Sequence, residues 1–281
     1  MANKDMSIVP GPIGVFDSGY GGLTILEKIR NELPEYDYIY LGDNARTPYG
    51  TRSFDVVYQY TLESVKKLFD MGCHLVILGC NTSSAKALRS IQQQDLPLIN
   101  KGRRVLGVIR PTVEVLDQVT VTKHVGMFAT PGTVKSDSYL LEIQKLFPDI
   151  RLTSEACPMW VPLIENNEHL SPGADYFVRQ HIDNLLSIDA EIDTIILGCT
   201  HYPLILPTIL KFLPKHIRVI TQGEIVAKSL GTYLDNHPEM RVKCTTKGSV
   251  VYYTTETVEK FASMASIFLK EEHVSAINIQ L

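Results

Sequence analysis

The chain lacks several features, and each absence narrows its function. No run of about 18 consecutive apolar residues occurs, so no segment reads as a membrane-spanning helix. There is no basic excess: 27 Lys and Arg stand against 31 Asp and Glu, for a net charge of −4. Nucleic acid is therefore not an expected partner, because binding phosphates needs clustered cations. The opening residues, MANKDMSIVPGPIGVF, lack the apolar core of a secretory leader, and a cytoplasmic location is expected. No C-x-x-C pair exists. The five cysteines, at 73, 80, 157, 199 and 244, are odd in number and widely spaced. That argues against a disulfide framework and against a cysteine-rich structural zinc site.

What remains is a chain of 281 residues, 44% of them hydrophobic, enough for one large core or two ordinary ones. Short apolar runs alternate with helical patterns. Strands are expected at Ile13–Phe16, Tyr38–Leu41, His74–Leu78, Val105–Val108, Val125–Phe128 and Thr194–Leu197. Helices are expected over Leu23–Glu32, Phe54–Met71, Ser83–Gln93, Ser136–Leu146, Gly173–Leu186 and Ile205–Phe212. Such alternation, with nearly continuous apolar strands, predicts an α/β fold of parallel sheets covered by helices on both faces.

A faint internal repeat runs through this pattern. IGVFDSGYGGL at 13–23 echoes VGMFATPGTV at 125–134, and HLVILGCNTSSAKALRSI at 74–91 echoes DTIILGCTHYPLILPTIL at 193–210. Gly14 and Gly126 are 112 residues apart, and Cys80 and Cys199 are 119 apart. Similar offsets suggest two halves of related construction.

Both copies of the second motif place a cysteine after Gly at the carboxyl end of a strand, followed by small polar residues. Asn81, Thr82, Ser83 and Ser84 are good capping residues for a helix. A cysteine at such a helix start is expected to favour thiolate. His201, two residues past Cys199, could tune that thiol. Ligands of open parallel sheets bind beyond the carboxyl ends of the strands, so facing halves would put both thiols on one cleft. Inverting a stereocentre requires proton removal on one face and delivery on the other. Thiols titrate near working pH, so a cysteine pair can serve in both directions.

Blander readings exist for these residues. A Gly-Cys after a strand can be packing, and Asp17 can be a helix cap. Tyr49-Gly50 can be an ordinary turn after Pro48. His201 can cap or pack. Cys199-x-His201 is half a metal site without local partners, so no metal is expected. The glycine-rich turn after Asp17 lets backbone N–H groups approach an anion, but no G-K-[ST] follows to make a nucleotide loop. Cys73, Cys157 and Cys244 read as structural, and Met159 and Trp160 as packing.

Five motifs carry a resemblance: FDSGYGGL (16–23), LGDNARTPYG (41–50), GCNTSS (79–84), ACPMWVPLIE (156–165) and GCTHYPL (198–204). In this order, over about residues 12–230, the chain resembles the bacterial glutamate racemases of the aspartate/glutamate racemase superfamily. The resemblance implies two pseudo-symmetric α/β domains with the active site in the cleft between them. The first would be discontinuous, 1–105 plus 215–281, and the second would be 106–214. Cys80 and Cys199 would be the acid/base pair, Cys80 serving the D-isomer and Cys199 the L-isomer. Asp17 and His201 would assist them. Glu165 would be a further acidic group, although spacing alone leaves Glu168 open. Ser18, Tyr49, Gly50, Asn81, Thr82 and Thr200 would hold the ammonium and carboxylates of the substrate. The resemblance also implies L- and D-glutamate as substrates, a homodimer, supply of D-glutamate for peptidoglycan synthesis, and no pyridoxal phosphate, metal or nucleotide. Aspartate racemase, or another amino-acid racemase, is the alternative within the superfamily. A binding protein or a cysteine hydrolase is the alternative outside it. The chain departs from the family's common pattern at Gly79 (commonly Ala), at Arg110 (commonly acidic), and at VITQGE (219–224), where Asp often follows the late strand.

Overall fold

A computed structural model describes residues 9–269 and 274–281. The first eight residues, part of the stretch in which no leader was expected, lie outside the described residues. Among the described residues, ten strands make two sheets. They are β1 (Ile13–Asp17), β2 (Tyr38–Gly42), β3 (Leu75–Leu78), β4 (Arg104–Gly107) and β5 (His124–Ala129). The others are β6 (Arg151–Ala156), β7 (Thr194–Gly198), β8 (Arg218–Ile220), β9 (Val250–Thr254) and β10 (Ala276–Asn278). One sheet runs β10-β9-β2-β1-β3-β4 and the other β6-β5-β7-β8. Every pairing is parallel.

The interior strands β1, β2, β3 and β7 are buried along their whole length, as strands covered on both faces must be. Helix Gly22–Glu32, which follows β1, packs on helix Gly223–Asn236, which follows β8. A continuous apolar cluster takes Ile13 and Val15 from the first sheet and Ile195 and Leu197 from the second. Trp160 is fully buried, its ring 5.0 Å from Phe128 and 4.9 Å from Tyr202. Met159, expected to pack with it, is exposed because it precedes the helix Trp160–Glu165 that turns Trp160 inward.

Sheet membership departs from the expected division of the chain. β4 carries the first sheet on to Gly107, past residue 105. β8 belongs to the second sheet, because Arg218–Ile220 pairs with Thr194–Ile196, so that sheet extends past residue 214. The expected helix Ser83–Gln93 is also interrupted: Asn81–Lys86 ends at Ala87, and a π turn spans Ile91–Asp95.

Strand order fixes where a ligand can sit. β1 lies between β2 and β3, so the chain leaves it to opposite sides. β5 lies likewise between β6 and β7. Each reversal opens a crevice beyond the carboxyl ends of adjacent strands. Ser18 and Cys80 flank the first crevice, and Thr130 and Cys199 the second.

Candidate active site

Cys80 is itself the N-cap of helix Asn81–Lys86, with φ −79 and ψ 124, and its Sγ accepts from the Ser83 N–H at 3.4 Å. Ser18 Oγ lies 3.3 Å from the same sulfur. Burial pushes the Cys80 thiol up to about 11, the charge of Asp17 adds to this, and the hydrogen bonds from Ser18 and Ser83 oppose it. This corrects the expectation of a favoured thiolate. The helix has six residues and gives the sulfur one backbone N–H, which does not offset dehydration beside a carboxylate.

The second copy is built differently. After Cys199 the chain makes a 3-10 turn, Tyr202–Ile205, before helix Leu206–Phe212 begins, so Cys199 caps no α-helix. Its partner is His201, whose Nδ1 is 3.9 Å from Cys199 Sγ. The Nε2 of His201 is 2.9 Å from Glu165 Oε1. Burial works against the imidazolium, but the hydrogen bonds and charges of Cys199 and Glu165 outweigh it and hold His201 at about 10. As a cation, the ring donates from both nitrogens, one toward sulfur and one toward carboxylate. Helix Trp160–Glu165 ends where it delivers Glu165 to the ring, whereas Glu168 is exposed.

Asp17 sits between the halves. Its Oδ1 accepts from the Gly19 N–H at 2.8 Å, and Thr200 Oγ1 donates to Oδ2 at 3.3 Å. Burial pushes this carboxyl up, and the His201 charge and the hydrogen bonds of Gly19, Gly22 and Thr200 oppose the rise.

A cavity of about 100 Å³ is lined by Cys80 and Cys199 together with Ser18, Tyr49, Gly50, Asn81, Thr82, Thr200 and His201. Asp17 and Glu165 stand behind this wall. Tyr49 places its ring on the cavity and donates its hydroxyl to Asp43, so the phenol is already partnered. Thr82 Oγ1 lies 3.1 Å from Thr130 Oγ1, across the gap between the sheets. The Gly132 N–H donates to the Gly50 carbonyl at 2.7 Å. A Cβ on Gly50 would fall 2.9 Å from Thr130 Cβ, so the two walls meet only because residue 50 has no side chain.

Thr130 and Cys157 are among the lining residues that were not expected. Thr130 occupies the place in the repeat that Ser18 holds in the first copy, so register could have found it. Cys157, read as structural, also lines the cavity; burial holds its thiol well above the ordinary value. Among the described residues, no group of three or more His, Cys, Asp or Glu is placed to hold a metal ion.

The profile of the Asp/Glu/hydantoin racemase family matches residues 13–230. The chain belongs to that family. Membership marks it as an isomerase of the racemase type. It is 39% identical over 268 residues to the glutamate racemase of Roseobacter denitrificans, covering 92% of this chain and 96% of that one. The crystal structure of a glutamate racemase from Bacillus anthracis superposes with a TM-score of 0.87 at 32% identity, covering 96% of this chain and 98% of the other. That of the Francisella tularensis glutamate racemase in complex with D-glutamate superposes with a TM-score of 0.84 at 34% identity, over 96% and 98% of the two chains.

Proposed function

We propose that this racemase interconverts L- and D-glutamate without a cofactor, Cys80 and Cys199 acting on opposite faces of the α-carbon. The observation that carries the reading is that two thiols, from the carboxyl ends of strands in different sheets, line one cavity. The glutamate racemases among its relatives supply the substrate.

In the L-to-D direction the Cys199 sulfur, as thiolate beside imidazolium His201, takes the α-proton. The C–H bond breaks, an S–H bond forms, and the electron pair stays on the substrate as an enolate-like carbanion. The Cys80 thiol then gives its proton to the opposite face and is left as thiolate. The D-to-L direction runs in reverse. A thiol held at about 11 suits the acid: ionising Cys80 at pH 7 would cost about 5 kcal/mol in the unliganded cavity. Ser18, Asn81, Thr82 and Thr200, with Tyr49 and Gly50 at the wall, are the proposed contacts for the ammonium and carboxylates. Fixed donors in a water-poor site stabilise the carbanionic charge. The proposed setting is a cytoplasmic homodimer whose D-glutamate feeds peptidoglycan synthesis.

Proton NMR of L- and D-glutamate, separately, in D2O with no added cofactor tests the reading. Loss of the α-proton signal from both isomers, with convergence to a racemate, is expected. Cys80→Ala and Cys199→Ala should each lose inversion, whereas a cysteine hydrolase would tolerate loss of one. Exchange with aspartate but not glutamate would keep the two thiols and replace the substrate. Absence of exchange from any amino acid would overturn the reading.

A further inference from the structure

We propose that Gln222 is a positioning residue: it locks the Asn81 carboxamide so that an Asn81 N–H is available at the cavity for a carboxylate of the substrate. This rests on the function proposed above. Gln222 precedes helix Gly223–Asn236 on the second half, and Asn81 follows Cys80 on the first. Gln222 is 2% exposed and reaches the cavity wall only through other side chains.

The lock follows from counting donors. The Thr112 hydroxyl donates to the Val108 carbonyl at 2.7 Å, so its oxygen is left to accept. Gln222 Nε2 supplies that proton at 2.9 Å. With Nε2 committed to this side, Oε1 faces Asn81 and accepts from its Nδ2 at 2.5 Å. Asn81 Oδ1 then faces two donors, the Tyr139 hydroxyl at 2.7 Å and Gln222 Nε2 at 3.2 Å. The Tyr139 oxygen in turn lies 2.8 Å from Gln222 Nε2. Flipping the Asn81 amide would set its NH2 against two donors and its oxygen against an oxygen. Buried amides in that state cost about 1–3 kcal/mol per unsatisfied group, so one orientation dominates.

A primary amide has two N–H bonds, and Gln222 uses one of those on Asn81. Among the described hydrogen bonds the other has no protein partner, and Asn81 lines the cavity beside Cys80. A donor-only face of this kind suits an anion. The family resemblance put Asn81 among the substrate contacts but left VITQGE only as a departure from Asp. A carboxylate at 222 would have no N–H for the oxygens of Thr112, Tyr139 and Asn81, so the departure brings its own hydrogen-bond pattern.

The test uses Gln222→Glu, nearly isosteric, with Gln222→Ala beside it. Gln222→Glu should raise KM for glutamate about tenfold at pH 8 while kcat falls less, one buried donor being worth about that factor. The loss should shrink as pH falls, because protonation of the inserted carboxyl restores a donor. The readout is the variant-to-wild-type ratio, with Gln222→Ala, which adds no carboxyl, as the control that should show no such pH-dependent recovery. Burial pushes the neighbouring Tyr139 far up, so its phenol does not titrate in this range. A crystal structure of each soluble variant should show the Asn81 amide rotated. Wild-type KM and pH profile with only a lowered Tm would overturn the proposal. If wild-type enzyme turns over no glutamate, the functional reading fails separately. The Asn81 rotamer then decides alone: rotated supports positioning by Gln222, and unchanged overturns it.

Discussion

At His201 two opposing effects meet, and their balance has a measurable sign. Burial disfavours the charged ring, but Cys199 and Glu165 hold it at about 10, against an ordinary 6.5. Between those values the folded protein keeps a proton that the unfolded chain releases. The stabilisation from this residue is therefore complete below pH 6.5 and is lost as pH rises toward 10. Burial also pushes Cys80 and Cys244 to about 11 and Cys73 to about 12, which steepens alkaline loss of stability in the same direction. Those thiols are shared with a His201→Asn variant, so the comparison isolates the ring. Tm of the wild type should fall more across this window than Tm of the variant. Parallel Tm–pH curves would mean that the imidazolium is not held in the folded state.

At the scale of elements, the turn from β1 into helix Gly22–Glu32 is wedged against the turn that follows β7. A Cβ at Gly21 would lie 2.3 Å from Thr200 Oγ1 and 2.4 Å from His201 Nδ1. Gly21→Ala must therefore displace the helix start or His201, at about 1–3 kcal/mol, typical of overpacking. Gly79 is roomier: the nearest contact of an added Cβ would be the Phe16 carbonyl at 3.3 Å. Chemical denaturation should show a clear loss for Gly21→Ala and a smaller one for Gly79→Ala, and equal losses would refute the steric account. The strands that position these turns were legible because β1, β2, β3 and β7 are apolar on both faces. β6, β9 and β10 were not read, and β8 entered only as the late strand of the family resemblance, since all four mix polar and exposed positions and leave no clean period. The cysteines were legible because each ends such a strand. The role of Gln222 was not, because its bond to Asn81 spans 141 residues and no local pattern encodes that pairing.

At the scale of the whole molecule, each sheet has an apolar cluster of its own on one face, but the largest cluster is shared by both. One apolar cluster takes Ile13, Val15, Ile195 and Leu197, all essentially fully buried, along with helix residues Leu23, Leu26, Val226 and Leu230. Each such side chain contributes about 1.5–3 kcal/mol when removed from water. Separating the halves would expose several at once, a penalty comparable with the whole stability of a typical domain, about 5–15 kcal/mol. Neither half should persist when the other melts. Calorimetry should give one transition with equal calorimetric and van't Hoff enthalpies, and two resolved transitions would show independent halves. D-glutamate should raise that single midpoint, because a ligand walled by Ser18 and Cys80 from one half and by Thr130 and Cys199 from the other binds only when both are folded and in register. At a hundredfold excess over Kd the added stability is about 2.7 kcal/mol. A midpoint unmoved at saturating D-glutamate would separate the cavity from the substrate, and a shift confined to one of two transitions would place the binding energy in a single half.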